Sequence, residues 1–549
     1  MGPITIFQAR TVVTMNPSNP EGTHVAVADG RILGVGSLDE VSGWGKYTLD
    51  TTFKEHVLVP GFVEAHGHPA DGAYWDYTYL GRYDRKGPDG VVRPGSSSVA
   101  EVIARLKEAE AALPDATTPL IGWGFDPIYF LDSPRMTKAD LDAISTTREI
   151  HVHHASGHLA TVNSFVLTTH GITSETETEG VVMGPDGQPN GELQESAAMM
   201  LSKSAMMEIA KKAFDPKTFT NYAAIARNAG HTTVTDLLSL SLLAPQYNDL
   251  LLSLTNQPGF PVRFVQYAIP NTAPTAIDAA AMIAKYRDLQ KTETELNRIG
   301  GIKLVYDGSI QGFTANVMWP DYYQAKDQGI WTLDVPTFPD TVRAFHEANI
   351  NMHVHCNGDE TAQATIEAIE QALMHYAWLN HRHTIQHAQL VNRAQLRRMA
   401  NDGICANFFT NHLYYWGDQH YSTTVGPERA NRMNPAASAL REGVKFSFHS
   451  DSGVTPTGHL HVMWVAMNRV TPSGRVLGEH EQISAYDALQ AATLDAAYQI
   501  HLDHEIGSIE TGKKADFAVL EQNPLTIDPM QVKDISVWGT VLCGEKHPA

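Results

Sequence analysis

Cysteine is almost absent. The 549 residues hold three, Cys356, Cys405 and Cys543, too few and too far apart for a disulfide framework. They fit a reducing compartment, and a cytoplasmic location is the expectation. Basic charge is also short: 40 Lys and Arg stand against 61 Asp and Glu, a formal charge of -21. That balance argues against nucleic acid or an anionic membrane surface as the main partner. No apolar run approaches the roughly 20 residues that cross a bilayer. The amino end lacks the basic stretch and apolar core of a secretory signal. Internal repeats and low-complexity tracts are lacking too. The rest is ordinary for a globular protein, with 43% hydrophobic and 18% charged residues, and the length suggests more than one domain. Histidine is the exception, at 26 residues.

Two of those histidines organise the chain. The apolar run 57–63 reads as a short buried strand, and it leads into His66-Gly67-His68. Residues i and i+2 of a strand share a side, so both imidazoles can aim at one point beyond its end. Two converging neutral imidazoles suit zinc or a similar first-row metal.

Further strand-like runs, at 232–235, 262–267, 302–306, 351–355, 383–387, 404–408 and 445–449, alternate with amphipathic helices. Eight such strands predict an α/β fold, a (β/α)8 TIM barrel. Short strands at both ends, with a hairpin signal at Asp29-Gly30, predict a small β-sandwich built from 1–56 and 505–549. The barrel would span 57–504, with 70–225 inserted between its first two strands as a lid over the active-site face.

A barrel keeps its chemistry at the C-terminal ends of its strands. Those ends carry His66 and His68, then Lys303, then His353 and His355, then His387, then His449-Ser450-Asp451. Taken singly, each has a structural explanation: a buried histidine is usually hydrogen-bonded in a core, and Lys303 could pair with Asp307. The whole set on one rim argues for a metal site.

In this order the residues resemble the amidohydrolase superfamily. The local wording of 60–68, Ser156-Gly157-His158, 303–309, His355-x-x-Gly358-Asp359, His449-Ser450-Asp451 and 507–516 is similar to its branch containing N-substituted formamide deformylase. The resemblance implies a metal-dependent hydrolase of a non-peptide amide C–N bond, in an N-formyl or N-acyl amine. It implies one or two divalent ions, zinc foremost. His66 and His68 would hold one ion with Asp451, His355 and His387 the other, and a carbamylated Lys303 would bridge them. His353 is the second choice on its strand. Burial beside metal favours the neutral lysine that reacts with carbon dioxide. A metal-activated hydroxide would attack the carbonyl, with Asp451 as general base and then acid. One departure from the family pattern stands out: Gln386 precedes His387 where many relatives carry an acid.

The pocket reading is coarser. Trp123, Phe125, Tyr129 and His158 from the insertion, with His412, Tyr414, Tyr415 and Trp416 after strand seven, are candidates for an aromatic substrate cavity. Of these, Trp123, His158, His412 and Trp416 are the candidate substrate contacts, and His158 also a candidate catalytic group at the developing oxyanion. His151, His153 and His154 read as structural. Rival readings are a cyclic amidase, a deaminase, a lactonase or esterase, and a non-catalytic regulator. Lys303 argues against a one-ion deaminase, and the complete ligand set argues against a regulator. The partner expected is a small-molecule substrate; the exposed barrel surface permits a homodimer.

Overall fold

The computed structural model describes residues 2–131, 134–271, 275–325 and 329–549. Eight parallel strands form its central sheet: Phe62–Glu64, His231–Ser239, Arg263–Ala268, Asn297–Val305, Asn351–Cys356, Thr384–His387, Cys405–Phe408 and Phe446–Phe448. Each pairs with the next in chain order, and they are numbered here as barrel strands one to eight. The two edges meet where Ser450, just past strand eight, donates its backbone N–H to the Glu64 carboxylate at the end of strand one, 3.1 Å away. The result is a nearly closed (β/α)8 barrel. Period-2 alternation sorts its side chains: Ile302 and Leu304 join the core packed against helices such as Phe338–Glu347 and Asp359–His375. Lys303, between them, therefore faces the barrel axis.

The apolar run 57–63 does not form one strand. It is shared between two sheets: Tyr47–Pro60 belongs to a sheet of the chain ends, and Phe62–Glu64 opens the barrel. Gly61 is the joint. A Cβ there would lie 2.0 Å from Thr232 Oγ1 on strand two, so the chain crosses where only glycine fits. Val57, Leu58 and Val59 are apolar because they are buried in the end sheet, and that hides the break from any pattern reading.

The sheet of the chain ends has seven strands, in the order Glu545–Pro548, Val537–Leu542, Phe517–Leu520, Tyr47–Pro60, Ile4–Val13, Glu21–Ala28 and Arg31–Gly36. Asp29 and Gly30 both take positive φ, 51° and 72°, as the expected two-residue hairpin requires. A buried ion pair, Arg263 Nη1 to Asp516 Oδ2 at 2.7 Å, ties this sheet to strand three.

Between barrel strands one and two the chain builds a third sheet, ordered Val181–Met183, Pro189–Gln194, Leu159–Val162, Ile150–His154, Leu120–Phe125 and Thr78–Tyr79. It has its own core around Leu106, Phe125 and Ile150. Because it leaves the barrel just after His68, it stands at the end of the barrel where the histidines lie. No helix among the described residues is long and apolar enough to cross a membrane.

Candidate metal centre and active site

Strand register sets the centre. Lys303 lies beside His353, Val305 beside His355 and Cys356 beside His387. His66 Nε2 is 3.2 Å from His68 Nε2, 3.4 Å from Lys303 Nζ and 3.7 Å from Asp451 Oδ1. Asp451 Oδ1 is also 3.1 Å from His68 Nε2, and its Oδ2 is 3.8 Å from His387 Nδ1. His355 Nδ1 and His387 Nε2 are 3.0 Å apart. Among the described residues, His66, His68 and Asp451 bring ligand atoms within 4.8 Å of one another, as do His66, His387 and His449. His387 and Asp451 hold positive φ, 65° and 51°, a region costly for a non-glycine residue and characteristic of functional sites.

The hydrogen bonds behind the ligands decide which nitrogens are bare. Gln386 Oε1 lies 2.7 Å from His66 Nδ1, which therefore carries the proton and leaves Nε2 free. Asn407 Nδ2 donates to the same Gln386 oxygen at 2.9 Å, so Asn407 Oδ1 is the acceptor facing His449 Nδ1, also at 2.9 Å. His449 Nε2 must then accept from His387 Nδ1, 3.1 Å away, and His387 Nε2 is bare. On the other side, His355 Nε2 faces the Gly308 carbonyl at 3.1 Å and an Asp307 oxygen at 3.5 Å. Two oxygen acceptors call for a proton there, against one donor, Asn357 Nδ2 at 3.1 Å, which also gives a hydrogen to the Gly308 carbonyl. His355 Nδ1 is bare as well. Two imidazole lone pairs thus face each other across 3.0 Å, an arrangement that a cation between them stabilises.

Electrostatics agree except at His68, where burial is outweighed by the Asp451 carboxylate and the pKa is raised. Burial, then neighbouring cations, hold the pKa of His66, His355, His387 and His449 well below the usual value, so these rings stay neutral. Burial brings the Lys303 ammonium down to about 7, which leaves much of it as free amine near neutrality. His353 sits one layer deeper, stacked on Tyr267 at 4.0 Å and bonded to Gln386. Of the two histidines on strand five, His355 is the one at the centre. The residue that departs from the family pattern, Gln386, orients both His66 and His353.

A cavity of about 260 Å3 opens over the centre, walled by Asp71, Tyr74, Trp123, His153, His154 and His158 from the insertion. Of the candidate substrate contacts, Trp123 and His158 are on its wall. His158 Nδ1 bonds Glu195 Oε2 at 2.8 Å, and its ring centre lies 5.1 Å from that of His355. Burial opposes a charge on His158, but the Glu195 carboxylate outweighs it and raises the pKa.

Two expectations need correction. His412 and Trp416 do not line this cavity: His412 packs on Phe409 at 4.4 Å, and Trp416 donates from Nε1 to buried Asp126. On the wall too are His154 and His153, both expected to be structural; His153 Nε2 is 3.0 Å from the Tyr74 hydroxyl. The strand that carries them belongs to the insertion, so barrel order could not place them. Glu195 has no sequence signal at all; it reaches His158 from the first residue of the short helix Glu195–Met199, at φ 63°, directly after the strand Pro189–Gln194. A third cluster, Glu64, His231 and His459, lies off the cavity lining; His231 Nε2 is 2.6 Å from His459 Nδ1 and Ser450 donates to Glu64, while His231 Nδ1 has no hydrogen-bond partner.

This centre and barrel agree with what the chain is similar to. Residues 54–546 match the model of the amidohydrolase family, and the chain belongs to that family: it is a hydrolase acting on carbon–nitrogen bonds. It is 26% identical to Protein LONG AFTER FAR-RED 3 of Arabidopsis thaliana, over 93% of this chain and 86% of that one. It is 24% identical to the N-substituted formamide deformylase of Arthrobacter pascens, over 97% and 96%. In fold it is similar to an uncharacterized metal-dependent hydrolase from Pyrococcus horikoshii, with a TM-score of 0.71 and 18% identity, covering 96% of this chain and 99% of that one.

Proposed function

We propose that the protein is a metal-dependent hydrolase of a non-peptide amide, an N-formyl or N-acyl amine. The observation that carries this reading is the pair of bare nitrogens on His355 and His387 facing across 3.0 Å, with the Lys303 amine beside His66. His66, His68 and Asp451 would hold one divalent ion, His355 and His387 a second, and Lys303 as a carbamate would bridge them. Zinc suits so imidazole-rich a set. Bound there, such ions would lower the pKa of water and polarise the substrate carbonyl.

The chain's own groups do the rest. Asp451 Oδ1, between His66 and His68, takes the proton released from water and delivers it to the amine nitrogen as the C–N bond breaks. An amine leaves poorly without that proton. His158, held by Glu195, donates from Nε2 to the carbonyl oxygen as negative charge builds there. The insertion encloses the cavity and limits water. The Arthrobacter relative's name supports a formyl amide as the first substrate to try. Lys303 within the cavity counts against a one-ion deaminase.

The test is release of amine from N-formyl and N-acyl amines by metal-loaded protein. Turnover that disappears with a chelator and returns with zinc supports the reading. Metal-loaded protein that turns over only lactones, phosphotriesters or aminopurines contradicts it.

A further inference from the structure

The space over the metal centre does not end at its own walls. A second cavity of about 440 Å3 adjoins the first, and Ser196, Met199, Met206, Leu238, Lys303 and Val305 line both. Lys303 thus stands at their junction. Away from the junction the second cavity has an apolar side of Met200, Ile269, Leu304, Ile330, Trp331 and Leu333 and a polar side with Thr178, Glu179, Glu195, Asn271 and Thr332. Methionines of this kind adapt to irregular apolar shapes.

Charge sharpens the point. Among the described residues that line the two cavities, Lys303 is the one lysine and there is no arginine, whereas Asp71, Glu179, Glu195 and Asp451 supply carboxylates. Arg85 is held behind the wall: its guanidinium lies over the Trp123 ring at 5.0 Å and donates to the carbonyls of Gly453 and Thr455. It lines neither cavity. A carboxylate on the substrate would meet four carboxylates among the described lining residues, where His158 is already paired with Glu195, and burying an unpaired charge is costly. An apolar group would instead cover Met, Ile, Leu and Trp surface.

Resting on the amide-hydrolase reading above, we infer that the second cavity is the subsite for the substrate's substituent, and that this substituent is apolar and bears no carboxylate. The scissile carbonyl lies beside Lys303 in the smaller cavity, and the substituent runs past Met199 and Leu238 into the larger one. N-acyl amino acids are excluded by charge, not by size.

The test compares N-methyl-, N-butyl- and N-hexylformamide with N-formyl-6-aminohexanoate on the zinc-loaded protein, in parallel with calorimetric titration of hexylamine and 6-aminohexanoate. The inference expects kcat/KM to rise by about tenfold or more from the methyl to the hexyl compound. It expects the carboxylate compound to fall below the hexyl one by about a hundredfold. Ala197→Trp, which fills the larger cavity, should flatten the length dependence while sparing N-methylformamide. Met200→Trp, at a half-exposed lining position (51%), serves if that variant does not fold. A flat length series, or a carboxylate compound as good as the hexyl one, overturns the inference and leaves the amide-hydrolase reading standing. If no amide is cleaved but hexylamine binds in preference to 6-aminohexanoate and Ala197→Trp abolishes that preference, the subsite stands and the amide reading falls. Absence of both turnover and any such preference overturns both.

Discussion

His355 and His387 turn ring nitrogens toward each other across 3.0 Å, and the hydrogen bonds behind the rings favour leaving both bare. Gly308 holds the proton of His355 on the far side of its ring, and the chain from Gln386 through Asn407 and His449 does the same for His387. The tautomers are set by groups behind the rings, outside the proposed ligand set.

Gln386→Leu removes the acceptor that keeps the His66 proton on Nδ1 and strips Asn407 of its partner. Metal affinity should fall about 10–100-fold, read by competition with a chromogenic chelator. The fold should persist, because the site is an internal hydrogen-bond node and the replacement is similar in volume. An unchanged affinity would show that the tautomers are set elsewhere.

His158 touches the reaction and not the metal. His158→Ala should lower kcat by about 10²–10³-fold, the usual cost of one donor to a developing oxyanion, with metal content unchanged by elemental analysis. A fall in bound metal would instead make His158 part of the centre.

The strand-one joint gives a stability prediction. Gly61→Ala drives a methyl group into Thr232, between two sheets that cannot both move. Overpacking of this kind costs about 1–3 kcal/mol, seen as a lowered midpoint of thermal unfolding in metal-free protein. Thr232→Ala in the same chain should recover part of the loss.

The pH dependence of reconstitution follows from Lys303. With its amine pKa lowered to about 7, the free amine dominates above that pH. Below it, the reactive form falls about tenfold per pH unit. Formation of the carbamate at fixed dissolved carbon dioxide should therefore be poor at pH 5 and level off above pH 8, followed by the recovery of metal-dependent activity. An ordinary lysine would still be gaining reactivity at pH 9.

How far the sequence is legible depends on where each residue stands. The convergence of His66, His68, Lys303, His355, His387 and Asp451 can be read because barrel strands carry such side chains to one end in chain order. The Gly61 crossover cannot, since both sheets bury the residues on either side of it. His153 and Glu195 reach the cavity from the insertion, whose path over the barrel follows from packing of its own core around Phe125 and Ile150. His412 and Trp416 share the composition of a pocket wall, yet Phe409 and Asp126 hold them away from the cavity. Aromatic content says that a region is buried, not which side of it faces a substrate.

The most direct test of the central claim is metal content. Protein prepared without chelator and with bicarbonate should carry two divalent ions per chain by elemental analysis, and Lys303→Ala one or none, with loss of amide hydrolysis. One ion in both proteins, at equal activity, would remove Lys303 from the centre and contradict the bridged two-metal account.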